Sequence, residues 1–91
     1  PVGAFIETDL SVADLSVKTL VNGVLKQEGR TSQMVFPVDF LIRYISNQMT
    51  LLPGDIIATG TPSGVAGLSP GDVCSVEIEG LESLTNPVES V

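Results

Sequence analysis

Thr59-Gly60-Thr61-Pro62-Ser63-Gly64-Val65 is the stretch of this 91-residue chain whose residue types are best suited to chemistry. Glycines flank hydroxyls there, so backbone N–H groups and a Thr side chain can approach an oxyanion with no Cβ in the way. The spacing reads as a small cradle for a carboxylate or phosphate, with a plain surface loop as the alternative. A nucleotide-binding P-loop is excluded, because that motif ends in Gly-Lys-Ser/Thr and no lysine follows Lys26.

The other side chains able to move protons or hold metals are acidic. Histidine is absent and Cys74 is the single cysteine, which removes Ser-His-Asp triads, Cys-His dyads, zinc fingers and disulfides together. Eleven Asp and Glu remain. Glu77 and Glu79 alternate with apolar residues on an expected strand and are expected to face water. Asp55 and Asp72 occupy the fourth position of Pro-Gly turns, where a short carboxylate bonds nearby backbone. No catalytic residue and no metal ligand can be named among them.

The elements that must carry the loop follow from turn signals and apolar spacing. Asn22-Gly23 is the dipeptide best suited to a type I′ turn, so Leu15–Val21 and Val24–Glu28 should form a tight hairpin, with Leu20 opposite Leu25 and Lys18 opposite Gln27. Val38, Leu41, Ile42, Ile45 and Met49 fall on one stripe, which predicts one helix over residues 37–48 with Pro37 in its first turn. Asp39 can pair with Arg43 one turn on, and Phe40 and Tyr44 should widen the buried face. Pro53-Gly54-Asp55 and Pro70-Gly71-Asp72 each suit a type II turn feeding a strand, the first ending at Thr59 and the second alternating Cys74, Val76 and Ile78 with Ser75 and Glu77. Gly80 then breaks the run before a returning strand within Leu81–Val88, with Pro87 at an edge or end. Five or six strands and one helix make a β-rich α+β fold.

Composition bounds the partners. Hydrophobic residues are 43% of the chain, which argues against disorder, and no uncharged apolar run is long enough to span a membrane. Four Lys and Arg against eleven Asp and Glu give a net charge of −7, which repels nucleic acid and anionic lipid. Cys74 reads as a small core residue in a reducing cytoplasm. Pro1-Val2-Gly3-Ala4-Phe5-Ile6 reads as chain already inside a fold, so a longer protein is expected.

The run Leu52-Pro53-Gly54-Asp55-Ile56-Ile57-Ala58-Thr59-Gly60-Thr61-Pro62-Ser63-Gly64-Val65, then Leu68-Ser69-Pro70-Gly71-Asp72-Val73 and Val76-Glu77-Ile78-Glu79-Gly80-Leu81, resembles the fumarylacetoacetate hydrolase family. The likeness extends back through Thr31-Ser32-Gln33-Met34-Val35-Phe36 and Val21-Asn22-Gly23 to Pro1. It implies part of a mixed β-sandwich roll, with residues 1–91 as the carboxy-terminal portion of one catalytic domain. It also implies a hydrolase, decarboxylase or isomerase of small oxo- or dioxo-carboxylic acids, as in the catabolism of aromatic compounds, working through a metal-stabilised enolate. Magnesium or manganese would be the metal, a homodimer the assembly and the cytoplasm the location. Gly60, Thr61 and Pro62 match the loop that binds substrate, with Thr61 meeting its carboxylate. The family's metal-ligand motifs, a Glu-x-Glu pair and an Asp followed by Thr-x-Arg-Asp, have no counterpart in this chain, nor does its active-site lysine, and Glu82 stands where many members have Gly. A non-catalytic domain with a structural or assembly role is the alternative.

Overall fold

In the computed structural model, which describes residues 1–91, Asn22 and Gly23 take φ values of 51° and 78°, the left-handed pair a type I′ turn requires. Ser16–Val21 (β1) therefore turns straight back into Val24–Arg30 (β2). Leu20 lies opposite Leu25 as expected, but the register slips between Leu20 and Thr19, so Thr19 faces Gln27 and Lys18 faces Glu28. The expected Lys18–Gln27 pair is thus incorrect. Lys26 is the extra residue of a β-bulge, and a one-residue slip turns every later side chain of β2 to the opposite face. Lys18 Nζ instead sits 3.6 Å from the Glu28 carboxylate.

Val73–Ile78 (β3) pairs with the other side of β1, and Leu84–Pro87 (β4) with β3, giving an antiparallel sheet in the order β2-β1-β3-β4. The ladder aligns Val17, Thr19 and Val21 with Ile78, Val76 and Cys74 on one face. Gln27 and Gly29 join that face through the bulge. Both Pro-Gly turns form as expected: Asp55 accepts the Leu52 N–H and Asp72 accepts the Ser69 N–H, each at 2.8 Å. β4 is shorter than the expected return because the turn at Gly80 continues, with the Leu81 N–H donating to the Ile78 carbonyl at 3.0 Å. Pro87, lacking an N–H, ends this edge strand.

The expected strand ending at Thr59 does not form, and the strand count is four, below the five or six expected. Ile56 is 76% exposed, and no strand of the sheet pairs with this stretch, so its backbone has no ladder to join.

Val38–Gln48 (α1) follows Pro37, with Asp39 in the first turn and its carboxylate 3.6 Å from Arg43 Nη2. Phe36, Phe40 and Tyr44 stack in series, ring centroids 4.9 and 6.2 Å apart. They do not enter a core: no residue of α1 is buried, Phe40 is 39% exposed and Tyr44 59%. The buried hydrophobic interior of the chain is Leu15 alone, fixed by Thr31, whose Oγ1 accepts the Leu15 N–H and whose N–H donates to the Leu15 carbonyl. The radius of gyration is 14.6 Å, whereas a close-packed domain of this length would have about 12 Å. Apolar surface is abundant because the four strands form one sheet and no second layer packs closely across it.

Candidate functional site

The stretch from Thr59 to Val65 lies along the bulged part of β2, and the bulge is what lets it lie there. On the face to which the slip has turned it, the Gln27 amide Nε2 donates to Thr61 Oγ1 and to the Pro62 carbonyl, each at 2.8 Å. Two residues on, a Cβ on Gly29 would stand 3.0 Å from the Pro62 Cβ, so the absent side chain makes room for the proline ring. At the other end, Gly64 has φ of 102°, and a Cβ there would overlap the Lys26 carbonyl oxygen. Both the backbone conformation and the close approach therefore require glycine.

Gly60, Thr61 and Pro62, the residues expected to bind substrate, are thus gathered at one edge of the sheet. The backbone N–H groups of Gly60, Thr61 and Gly64 donate to nothing within the chain. A Thr hydroxyl carries one donor and two acceptor lone pairs. Gln27 uses one lone pair, so the Thr61 proton remains available to an incoming acceptor. The arrangement can hold a carboxylate by a hydroxyl and neighbouring main-chain donors.

Gln27, expected only as the cross-strand partner of Lys18, is a residue of the site. Its signal is the loss of alternation in Val24-Leu25-Lys26-Gln27-Glu28, three polar residues in a row inside a strand, followed by Gly29, a residue that in a strand marks a bulge or a close backbone approach.

The acidic residues serve the frame. Arg30 Nε donates to Asp14 Oδ1 at 2.7 Å and Ser32 Oγ donates to the same oxygen at 2.6 Å. The Arg30 hydrogen bond, then that of Ser32, holds the Asp14 carboxyl below the usual carboxylate range, and Asp14 in turn raises the Arg30 guanidinium. Glu79, expected to be merely solvated, accepts the Ser16 N–H at 3.0 Å and lies 3.7 Å from Arg30 Nη2. Asp72 is also lowered, first by the Ser69 N–H and then by the Asn22 amide. No three Cys, Asp or Glu side chains converge in a way that could hold a metal ion. The chain's own residues therefore do not make up the site for the divalent metal that the resemblance implies. No helix is long and apolar enough to cross a membrane.

The chain is similar in sequence and fold to several known proteins. The 4-hydroxyphenylacetate degradation bifunctional isomerase/decarboxylase of Salmonella dublin is 46% identical over 91 residues, covering 97% of this chain and 21% of its own length. The crystal structure of 2-hydroxyhepta-2,4-diene-1,7-dioate isomerase from Mycobacterium marinum superposes with a TM-score of 0.93 at 52% identity, over 96% of this chain and 34% of that one. Maleylpyruvate hydrolase from Sphingobium sp. SYK-6, solved in complex with manganese(II) ion and pyruvate, superposes with a TM-score of 0.84 at 38% identity, over 87% and 30%. The chain spans 18% to 40% of the length of the curated relatives it matches. Since residues 1–89 match the model described as Fumarylacetoacetate (FAA) hydrolase C-terminal, and relatives of close to half identical sequence share its sheet and helix, the chain belongs to the fumarylacetoacetate hydrolase family.

Proposed function

We propose that residues 1–91 are the carboxy-terminal portion of a catalytic domain that hydrolyses, decarboxylates or isomerises small oxo- or dioxo-carboxylic acids with the help of a divalent metal. The observation that carries this reading is the Thr61 hydroxyl, held as an acceptor by Gln27 with its proton free beside unpaired main-chain N–H groups. Family membership narrows the anion to an oxo-acid carboxylate, since the relatives named above are an isomerase/decarboxylase, an isomerase and a hydrolase.

Within this scheme Gly60, Thr61 and Pro62 bind and orient the substrate's carboxylate. Local donors are needed for that task, because a net charge of −7 gives no long-range attraction for an anion. A hydrogen bond from a hydroxyl to a charged group contributes roughly 1.5 to 3 kcal/mol, and fixing one end of a small acid limits the orientations of its reacting carbons. Metal ligands and proton-transfer groups would come from parts of the protein outside these residues. A homodimer, whose second copy could cover the exposed Phe36–Phe40–Tyr44 stack, and a cytoplasmic location, which suits the free Cys74, complete the proposal.

The test is turnover by the full-length protein, with manganese or magnesium and after chelation, of oxaloacetate, an acylpyruvate and 2-hydroxyhepta-2,4-diene-1,7-dioate. Metal-dependent consumption of at least one is expected. If all three remain intact under every condition, the domain has a structural role.

A further inference from the structure

We infer that Gln27 is a positioning residue for the carboxylate site, setting the direction of the Thr61 proton. The inference rests on the reading of Thr61 as the substrate's partner and adds a residue from a different element. Both hydrogens of the Gln27 amide are spent on the loop, one on Thr61 Oγ1 and one on the Pro62 carbonyl. A donor bound to one lone pair of a hydroxyl forces the O–H bond away from that donor. The Thr61 proton is therefore turned away from β2, and the hydroxyl is prevented from donating to the sheet edge. A free Thr rotor would have to be ordered on binding; this one is ordered beforehand.

The Lys26 bulge is the device that makes the contact possible. With unbroken pairing Gln27 would lie on the Lys18 face, on the other side of the sheet from the loop. The half-buried Gln27 also shares its face with Gly29, whose missing side chain admits Pro62. An ordinary solvated strand residue would need neither the slip nor the glycine.

A double-variant cycle in the full-length protein tests the inference, reading the Kd of pyruvate by calorimetry with manganese present and the melting temperature of each variant. Thr61→Val should weaken pyruvate about 10- to 150-fold. Gln27→Met, which keeps the length and loses the donor, should weaken it about 5- to 10-fold with the melting temperature nearly unchanged. In the Thr61→Val background the same change should cost less than about 2-fold, because the hydroxyl it orients is gone. Gln27→Glu should cost more than Gln27→Met, since a carboxylate takes the Thr61 proton for itself. A Gln27→Met loss of equal size in both backgrounds, or a Gln27→Glu loss no larger than that of Gln27→Met, makes Gln27 a support of the loop and overturns the inference. If Thr61→Val binds pyruvate as well as the wild type does, or the wild type does not bind it, the reading of Thr61 fails and the inference falls with it.

Discussion

Asn22 and Asp72 are clamped together across the sheet: the Asn22 Nδ2 donates to Asp72 Oδ1 at 2.8 Å, while Asn22 Oδ1 accepts the N–H of Val73 at 2.9 Å. One side chain thereby joins the hairpin turn to the Pro-Gly turn that starts β3. Asn22→Gly keeps the positive φ and loses the clamp, and should destabilise the full-length protein by about 1 kcal/mol. Asn22→Ala also strains the turn and should cost about 2 kcal/mol. Urea denaturation of the two variants checks the order, and an Ala variant as stable as the Gly variant contradicts it.

Asp14 and Asp72 predict how stability responds to acid. Both carboxyls titrate lower in the folded chain than their usual range, Asp14 through Arg30 and Ser32, and Asp72 through the Ser69 N–H and Asn22. A depressed folded value means the unfolded state binds protons first as pH falls, so their stabilisation is complete above about pH 4 and disappears as the pH drops through the folded values. Denaturation midpoints between pH 7 and pH 3 should decline at the acid end, and Asp14→Asn should flatten the decline. Carbon-detected titration of the two carboxyls reads the direction, and midpoints at or above those of an unfolded peptide would refute it.

Thr61→Val should lower kcat/KM of the full-length enzyme about 10- to 150-fold with little change in melting temperature. Ser63→Ala is the comparison, since the Ser63 hydroxyl lies in the same loop and bonds to nothing within the chain. Equal losses in both variants would mean that the loop contributes only its shape.

Three glycine replacements should grade the seating of the loop. Gly64→Ala meets the Lys26 carbonyl at a φ of 102° and should cost at least about 1 to 2 kcal/mol. Gly29→Ala meets the Pro62 ring at 3.0 Å, with Gln33 Oε1 at an ordinary 3.6 Å, and should cost less. Gly67→Ala, with open space around it, should be neutral. Thermal melts rank them, and a neutral Gly64→Ala would show that the loop does not rest on β2.

The isolated 91-residue chain should bind a hydrophobic dye and self-associate, because Leu15 alone is buried while Phe5, Ile6, Val35 and Ile56 are each more than 75% exposed. A monomer by size exclusion with a cooperative melt would overturn this expectation.

What could be read from the residues divides by distance along the chain. The Asn22-Gly23 turn, the helix stripe and the carboxylates of Asp55 and Asp72 were legible because each depends on residues a few positions apart. The slip at Lys26 leaves only a local trace, the polar run before Gly29, because turn chemistry sets only the first pairs of a hairpin and Gly64 presses on the strand from far along the chain. The same holds for Ile56 and Phe40. Apolar spacing says which face seeks cover, and only the presence of a neighbour decides whether it finds any. The candidate loop was recognisable from its Gly, Thr and Pro, whereas the Gln27 that holds it belongs to another element.

The sheet order places β1 between a local partner and a distant one, and this sets a sequence in time. The β1–β2 hairpin needs only a two-residue turn and can form within microseconds, whereas the Asn22–Asp72 clamp closes an excursion of 50 residues. Thr61 follows Gln27 by 34 residues, so at ribosomal speeds roughly 2 to 7 s pass between synthesis of Gln27 and of the loop that rests on it. During that interval the amide of Gln27, the carbonyl of Lys26 and the outer edge of β2 are bare in the nascent chain. The glycines and the bulge that later receive the loop thus also shape a surface that the nascent chain offers to chaperones before the loop arrives.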